Sequence, residues 1–255
     1  MKLATWNVNS IRQREGLVCA WLERAAPDLL LLQEIKCEAA QFPAEGFAAL
    51  GYQAELVGQK TYNGVAVLAR VPFAVTARAL PGDAEDAQAR YIEIEAGGIT
   101  VAGLYLPNGN SGGEAGFAYK LRWMDRLAAR AAALLAEERS VVLAGDFNVC
   151  PAPEDAAPGA IDAADALVRP ETRARFRRLI WLGLTDAVRA LHPRDRVFTF
   201  WDYQAGAWPR DLGLRIDHVL VSAELAERLV TAAPDRAERD RAQPSDHVPV
   251  VVELG

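Results

Sequence analysis

Unbroken apolar runs that end abruptly on an acid or an amide recur along the chain. Val141-Val142-Leu143-Ala144 runs into Gly145-Asp146-Phe147-Asn148. Leu29–Leu32 runs into Gln33-Glu34, and Leu3-Ala4-Thr5-Trp6 into Asn7. Near the other end Ser245-Asp246-His247 precedes the β-branched stretch Val248–Leu254. Continuous short hydrophobic runs predict strands buried on both faces. In an extended chain, residues i and i+2 point to the same side. Asp146 and Asn148 are therefore expected to face one small volume.

Further strands are predicted at Val65–Leu68, Tyr91–Glu95, Ile99–Leu106 and Ile216–Val221. The pair 91–95 and 99–106, joined at Gly97-Gly98, has the pattern of a hairpin. Ser10 is positioned to cap a helix with Leu17, Trp21 and Leu22 on its apolar face. An Ala-, Leu- and Arg-rich helix is predicted from Phe117 to Glu138. Another is predicted from about Glu171 to Leu182, after Pro170. Hairpins beside strand-then-helix units predict an α/β fold with mixed sheets rather than one doubly wound parallel sheet. The Pro-, Ala- and Asp-rich stretch from Cys150 to Val168 lacks periodicity and is a candidate functional loop. With no fixed-period repeat and no low-complexity tail, residues 1–255 are expected to form a single domain.

Composition narrows the class only modestly. The chain has 255 residues, 51% hydrophobic and 24% charged, as expected of a soluble globular protein. No apolar run approaches a membrane span and no signal peptide is evident, so no membrane association is expected. Three cysteines without CxxC spacing argue against a disulfide framework or a zinc site, and a reducing cytoplasm is the expected location. The formal net charge of −6 would not by itself point to nucleic acid. It remains compatible with a metal-dependent nuclease that concentrates its cations locally.

Individually the polar residues at strand ends have ordinary readings. Asp146 and Asn148 would serve a turn or helix cap as readily as a ligand site, and Asn7 alone reads as a turn residue. Glu34, directly after a buried strand, needs solvent, a partner or a metal to offset desolvation. His247 beside Asp246 places an imidazole at a strand mouth. His192, before a proline, reads as surface. His218 must point away from its neighbour Asp217, which suits packing. Together Asn7, Glu34, Asp146, Asn148, Asp217, Asp246 and His247 make a hard-oxygen set with one imidazole, suited to Mg²⁺ or Mn²⁺ rather than zinc.

The ordered motifs Trp6–Arg12, Leu32–Lys36, Gly58-Gln59-Lys60, Tyr62–Ala66, Gly103–Gly109, Gly145–Asn148, Gly213–Asp217 and Ser245–His247 span nearly the whole chain. The sequence so resembles the exonuclease III family of apurinic/apyrimidinic endonucleases, within the endonuclease/exonuclease/phosphatase superfamily. The resemblance implies a four-layer α-β-β-α sandwich of two packed mixed β-sheets, the deoxyribonuclease-like fold. It also implies a Mg²⁺-dependent DNA repair nuclease, with Mn²⁺ as a possible substitute. Such an enzyme would cut duplex DNA 5′ to abasic sites and clear damaged 3′ ends. Nothing in the sequence pattern demands more than a monomer, which is the expected state.

By the same resemblance Glu34 and Asn7 would hold the metal, with Asp246 nearby. Asp146 would orient and deprotonate water, Asn148 would place the water and the phosphate, and His247, partnered by Asp217, would donate to a phosphate oxygen. Tyr105 would support the pentacovalent state or the leaving oxygen. A two-metal variant would instead put an ion on Asp146, Asn148 and His247.

The aromatic run from Phe198 to Tyr203 reads as core by default. The resemblance instead puts Phe200, Leu214 and Ile216 around a flipped-out baseless sugar, with Trp201 also facing substrate. It makes Arg90, Asn108, Lys120 and Arg122 phosphate contacts. Arg173, Arg175, Arg177 and Arg178 read as a solvated helix face rather than a DNA contact. Asp211-Leu212, where relatives carry Asn-Arg or a similar pair, is expected to alter the balance of endonuclease and exonuclease activity. The alternatives are a phosphatase or phosphodiesterase of the same superfamily on a non-DNA substrate, and a non-catalytic regulatory binding member.

Overall fold

In the computed structural model, which describes residues 1–255, the buried runs form the centres of two sheets. In chain order the elements are β1 (Lys2–Asn7), α1 (Ile11–Ala25), β2 (Leu29–Gln33), α2 (Ala44–Ala49), β3 (Gln53–Val57), β4 (Val65–Ala69), β5 (Ala74–Ala77), β6 (Tyr91–Ala96), β7 (Ile99–Tyr105), α3 (Gly113–Ala136) and β8 (Ser140–Asp146). They continue with α4 (Pro170–Trp181), β9 (Thr185–Asp186), α5 (Ala187–Leu191), β10 (Asp217–Val221), α6 (Ala223–Ala226), β11 (Leu229–Pro234) and β12 (Val250–Leu254). One six-stranded sheet has the order β11-β12-β1-β2-β4-β3 and the other β5-β6-β7-β8-β10-β9. Each mixes parallel and antiparallel pairs, with β1–β2 and β7–β8 parallel.

Side-chain alternation sorts each central strand between two cores. Leu3, Leu29, Leu31, Val101, Val142, Ala144 and Val219 meet between the sheets. The alternate residues Ala4, Trp6, Leu30 and Leu32 pack with Trp21 and Leu22 of α1 and Phe47 of α2. On the far side Leu143 and Leu220 pack with Trp123 and Leu127 of α3 and Phe176 of α4. The result is helix, sheet, sheet, helix, the four-layer sandwich expected. No helix is long and apolar enough to cross a membrane.

Two local expectations change. Ser10 does not cap α1, because its side chain makes no cap hydrogen bond at φ 87°. Its amide instead donates to the Glu34 carbonyl at 2.8 Å, tying the start of the helix to the end of β2. Helix α3 begins at Gly113, several residues before Phe117, because Gly112 adopts a left-handed conformation ahead of it.

Candidate active site

The polar residues that end the strands extend the inner-facing rows of the sandwich. On β1 the row Leu3, Thr5 ends at Asn7, and on β8 the row Val142, Ala144 ends at Asp146. On β10 Asp217 precedes Val219 and Val221, and on β7 Tyr105 follows Val101 and Gly103. Tyr105 and Asp217 are the register partners of Asp146 on its two sides. The inter-sheet core thus opens, at one end, onto a patch of carboxylates and amides. Gly145 allows this, since a Cβ there would lie 1.9 Å from the Leu104 carbonyl oxygen.

Asn7 bridges the two sheets. Its Nδ2 donates to Glu34 Oε1 at 2.8 Å and to Asp146 Oδ2 at 3.0 Å, while its Oδ1 accepts from the Asn9 amide. Asp146 Oδ1 accepts from the Asn148 amide at 2.8 Å. Asn148, at φ 49°, donates to the Leu106 carbonyl and accepts from Asn108 Nδ2, both at 2.9 Å. His247 Nδ1 donates to Asp217 Oδ2 at 2.8 Å, and its Nε2 lies 3.8 Å from Asp146 Oδ2. Thr199 Oγ1 also donates to Asp217 Oδ2, at 2.6 Å. Asp217 Oδ1 is buried with no partner.

These surroundings set the protonation states. Burial disfavours charge on His247, but the Asp217 carboxylate outweighs it and raises the imidazole to about 10. His247 is therefore an imidazolium at neutral pH, held by its partner. Burial pushes Asp146 up to about 7, against the pull of His247. Burial also opposes charge on Glu34, yet Lys36, whose Nζ is 2.8 Å away, and Asn7 hold it below the usual carboxylate range. Burial and the neighbouring carboxylates Glu34 and Asp146 raise the Tyr105 phenol well above its ordinary value, so it remains a donor.

The ligand atoms of Glu34, Asp146 and His247 lie within 4.8 Å of one another. Two hard carboxylates, one of them buried at a raised pKa, fit a divalent cation, and the His247 imidazolium stands beside them as a donor. Asp246 stands behind this group, its Oδ1 accepting from Asn9 Nδ2 and Ser245 Oγ.

Beside the site Phe200 packs against His247 with ring centroids 4.9 Å apart, and Phe200 pairs with Leu214. Arg90 stacks 4.7 Å over the Tyr105 ring and donates to the Tyr105 carbonyl. Ile216 lies beneath Leu214, in a cluster with Cys150 and Leu167.

Two expected contacts are corrected by burial. Trp201 is fully buried, and its Nε1 donates to Asp211 Oδ1 at 3.0 Å. It packs on Phe198 and Trp208, so it supports the wall rather than facing substrate. Lys120 is likewise fully buried and donates to the Asn108 and Asn148 carbonyls at 2.9 and 2.6 Å. It is a strut under the site, not a phosphate contact. Arg122 lies in a separate hollow with Asp83 and Asp125.

Three of the four α4 arginines have partners within the protein, while Arg177 is exposed on the helix face. Arg175 and Arg178 pair with Asp125, and Arg173 donates to the Cys150 carbonyl. His218 is buried, donates to the Val149 carbonyl and packs on Phe147 and Phe176. The Asp211 carboxylate is taken up by Trp201 and by Arg236 at 2.9 Å.

The pattern of the sequence missed Thr199, Lys36 and Asn9. Thr199 is hidden between two aromatics. Lys36 and Asn9 lie in motifs already singled out, but nothing local says that Lys36 turns back onto Glu34 and Asn9.

The model of the endonuclease/exonuclease/phosphatase family matches residues 4–247. Exodeoxyribonuclease III of Haemophilus influenzae is 35% identical, over 100% of both chains. An AP endonuclease from Archaeoglobus fulgidus superposes with a TM-score of 0.94 at 35% identity, covering 100% of this chain and 99% of the other. The 3′ phosphatase NExo from Neisseria, solved with a product DNA hairpin, gives a TM-score of 0.94 at 36% identity over the same shares. The site described above falls within the matched residues, and the chain belongs to the endonuclease/exonuclease/phosphatase family.

Proposed function

We propose that this protein is a Mg²⁺-dependent DNA repair nuclease that incises duplex DNA 5′ to abasic sites and trims damaged 3′ ends, with Mn²⁺ able to substitute. The observation that carries this is the convergence of Glu34, Asp146 and His247 within 4.8 Å, with His247 held as an imidazolium by Asp217. The similarity to an exodeoxyribonuclease, an AP endonuclease and a DNA-bound 3′ phosphatase supports DNA as the substrate.

Glu34 and Asp146 would hold the cation, with Asn7 fixing their spacing. When bound, the ion would supply Lewis-acid polarisation of the phosphate and a lower pKa for attacking water. Asp146, its Oδ1 fixed by the Asn148 amide, accepts the proton of the attacking water. Asn148, locked by Asn108 and the Leu106 carbonyl, positions the phosphate. His247 donates Nε2–H to a non-bridging oxygen as negative charge builds. Tyr105, kept protonated, donates toward the leaving oxygen. These are pre-organised donors aimed at developing charge, where a single loss typically lowers the rate by about 10²–10³. A monomer suffices, because every group comes from one chain.

The test uses two duplexes, one with an internal abasic analogue and one with a recessed 3′ end, each with Mg²⁺ and with chelator. Metal-dependent cleavage, lost in Asp146→Asn, is expected. Absence of cleavage of either duplex, or full activity in Asp146→Asn, would sink the assignment. The complete acid and amide set speaks against a non-catalytic binding member.

A further inference from the structure

Two cavities flank the candidate active site and share Asn108, whose side chain bonds Asn148. They are opposite in electrostatic character. The first, about 580 Å³, is lined by Gln59, Tyr62, Asn63, Arg90, Tyr105 and neighbours, with no carboxylate among them. Arg90 has no ion-pair partner, and stacking on Tyr105 holds it at the wall. The second, about 510 Å³, has an apolar floor that includes Phe200, Leu212 and Leu214. Its rim carries Asp162, Asp165 and Asp202, and no lysine or arginine lines it. None of these three carboxylates pairs with a cation. Asp165 accepts from Asn110 and the Leu167 amide, while Asp162 and Asp202 accept only from nearby backbone amides.

Every linkage of a DNA strand carries a negative charge, and protein surfaces that track a strand do so with cations. A strand crossing the site would meet a cation on the Arg90 side and three carboxylates, none of them in an ion pair, on the Phe200 side. The second cavity is of a size that takes a small ligand, and its floor suits a sugar or nucleoside but its rim opposes a further phosphate. We infer that the Phe200 cavity selects a strand terminus: it accepts the last sugar of a 3′ end and disfavours substrates whose strand continues beyond it, so that 3′-end removal is preferred over internal incision. Asp162, Asp165 and Asp202 are the specificity-determining residues. This inference rests on the reading of the protein as a DNA nuclease that places the sugar 3′ to the scissile phosphate against Phe200.

Electrostatic selection of this kind has a sign that can be measured on the intact protein. The substrate is a duplex with one internal abasic analogue in which the first linkage 3′ of the lesion is either a phosphate or an uncharged methylphosphonate. If the rim repels that linkage, removing its charge raises the incision rate several-fold. If the linkage is a favourable contact, removing its charge lowers the rate.

The second measurement is the ratio of kcat/KM for internal incision to that for 3′-end removal, taken within one enzyme preparation so that the active fraction cancels. The ratio is expected to be below 1 and to rise about 10-fold in Asp162→Asn/Asp202→Asn, at a few-fold per exposed carboxylate. In that variant the methylphosphonate is expected to lose most of its effect. A rate that falls with the methylphosphonate, or a ratio unmoved in the variant, overturns the inference while leaving the nuclease assignment intact. Failure to cleave either substrate with Mg²⁺ or Mn²⁺ overturns both.

Discussion

At the scale of single residues the site depends on a few pairings, and His247 with Asp217 is the most consequential. Burial alone would discharge His247, and the Asp217 carboxylate reverses this. A histidine whose pKa is raised keeps its proton to higher pH, so the wild-type enzyme should retain its imidazolium to about 10. In Asp217→Asn the largest charge opposing burial is gone and only Asp146 and Asp246 still favour the imidazolium, so the basic limb of the kcat/KM profile should move to lower pH. A pH–rate profile on either duplex checks this, and an unmoved limb would remove the imidazolium from the mechanism.

Asp146 behaves in the opposite sense. Burial raises its pKa to about 7, and a cation beside it favours the charged form. The acidic limb should therefore shift to lower pH as the Mg²⁺ concentration rises. These residues were legible in sequence because each borders or interrupts an apolar run, where a polar side chain needs a reason. The roles of Trp201 and Lys120 were not legible. An indole or an ammonium reads the same whether it meets solvent or, as here, hydrogen-bonds internally.

At the scale of elements, legibility followed depth. The central strands β1, β2, β4, β7, β8 and β10 were all marked by continuous or near-continuous apolar runs. The strands missed, β3, β5, β9 and β11, are the four sheet edges. Their residues are half-exposed or exposed apart from Ala232 on β11, and β9 is only two residues long. Edge strands carry weak hydrophobic pattern because one side lacks a neighbour. The loop from Cys150 to Val168 was marked only by lack of periodicity. The structure shows what anchors it, a buried network in which Arg215 Nε donates to Asp155 Oδ1 at 2.7 Å and Asp155 Oδ2 accepts from the Ala152 amide.

Gly145 is the element-scale position most exposed to test. Ala there would force β8 away from β7, since its Cβ would meet the Leu104 carbonyl oxygen. Overpacking of this kind costs about 1–3 kcal/mol. Gly145→Ala should lower the melting temperature and reduce activity together, by displacing Asp146. A variant of wild-type stability and activity would show that β8 can shift without disturbing its end.

At the scale of the molecule, metal binding and folding should be linked. A cation held by Glu34 and Asp146 binds only where β2 and β8 are brought together. At a concentration 100 times its Kd it adds about 2.7 kcal/mol, or roughly 5–11 °C in a chain of this size. Thermal melting with and without Mg²⁺ measures this. The shift should vanish in Glu34→Gln/Asp146→Asn, and a shift that survives there would place the ion elsewhere. That the sheets are mixed was legible from hairpin and strand-then-helix patterns, and that there are two of them was implied by the family resemblance. That the sheets pack face to face, so that Asn7 of one reaches Asp146 of the other at 3.0 Å, depends on tertiary contact that no local window contains.

Tyr105, Asp146 and Asp217 sit side by side on β7, β8 and β10, and adjacent strands in any sheet are about 4.8 Å apart. The protein therefore measures out its reactive groups with a backbone ruler whose divisions do not depend on side chains. Loops such as 150–168 can be exchanged without altering those divisions. A lineage built on this scaffold can change what it cuts by editing rims and floors while the graduations that set the chemistry stay fixed, whereas a single-residue slip of β8 would turn Asp146 away from the cleft and end the reaction in one step.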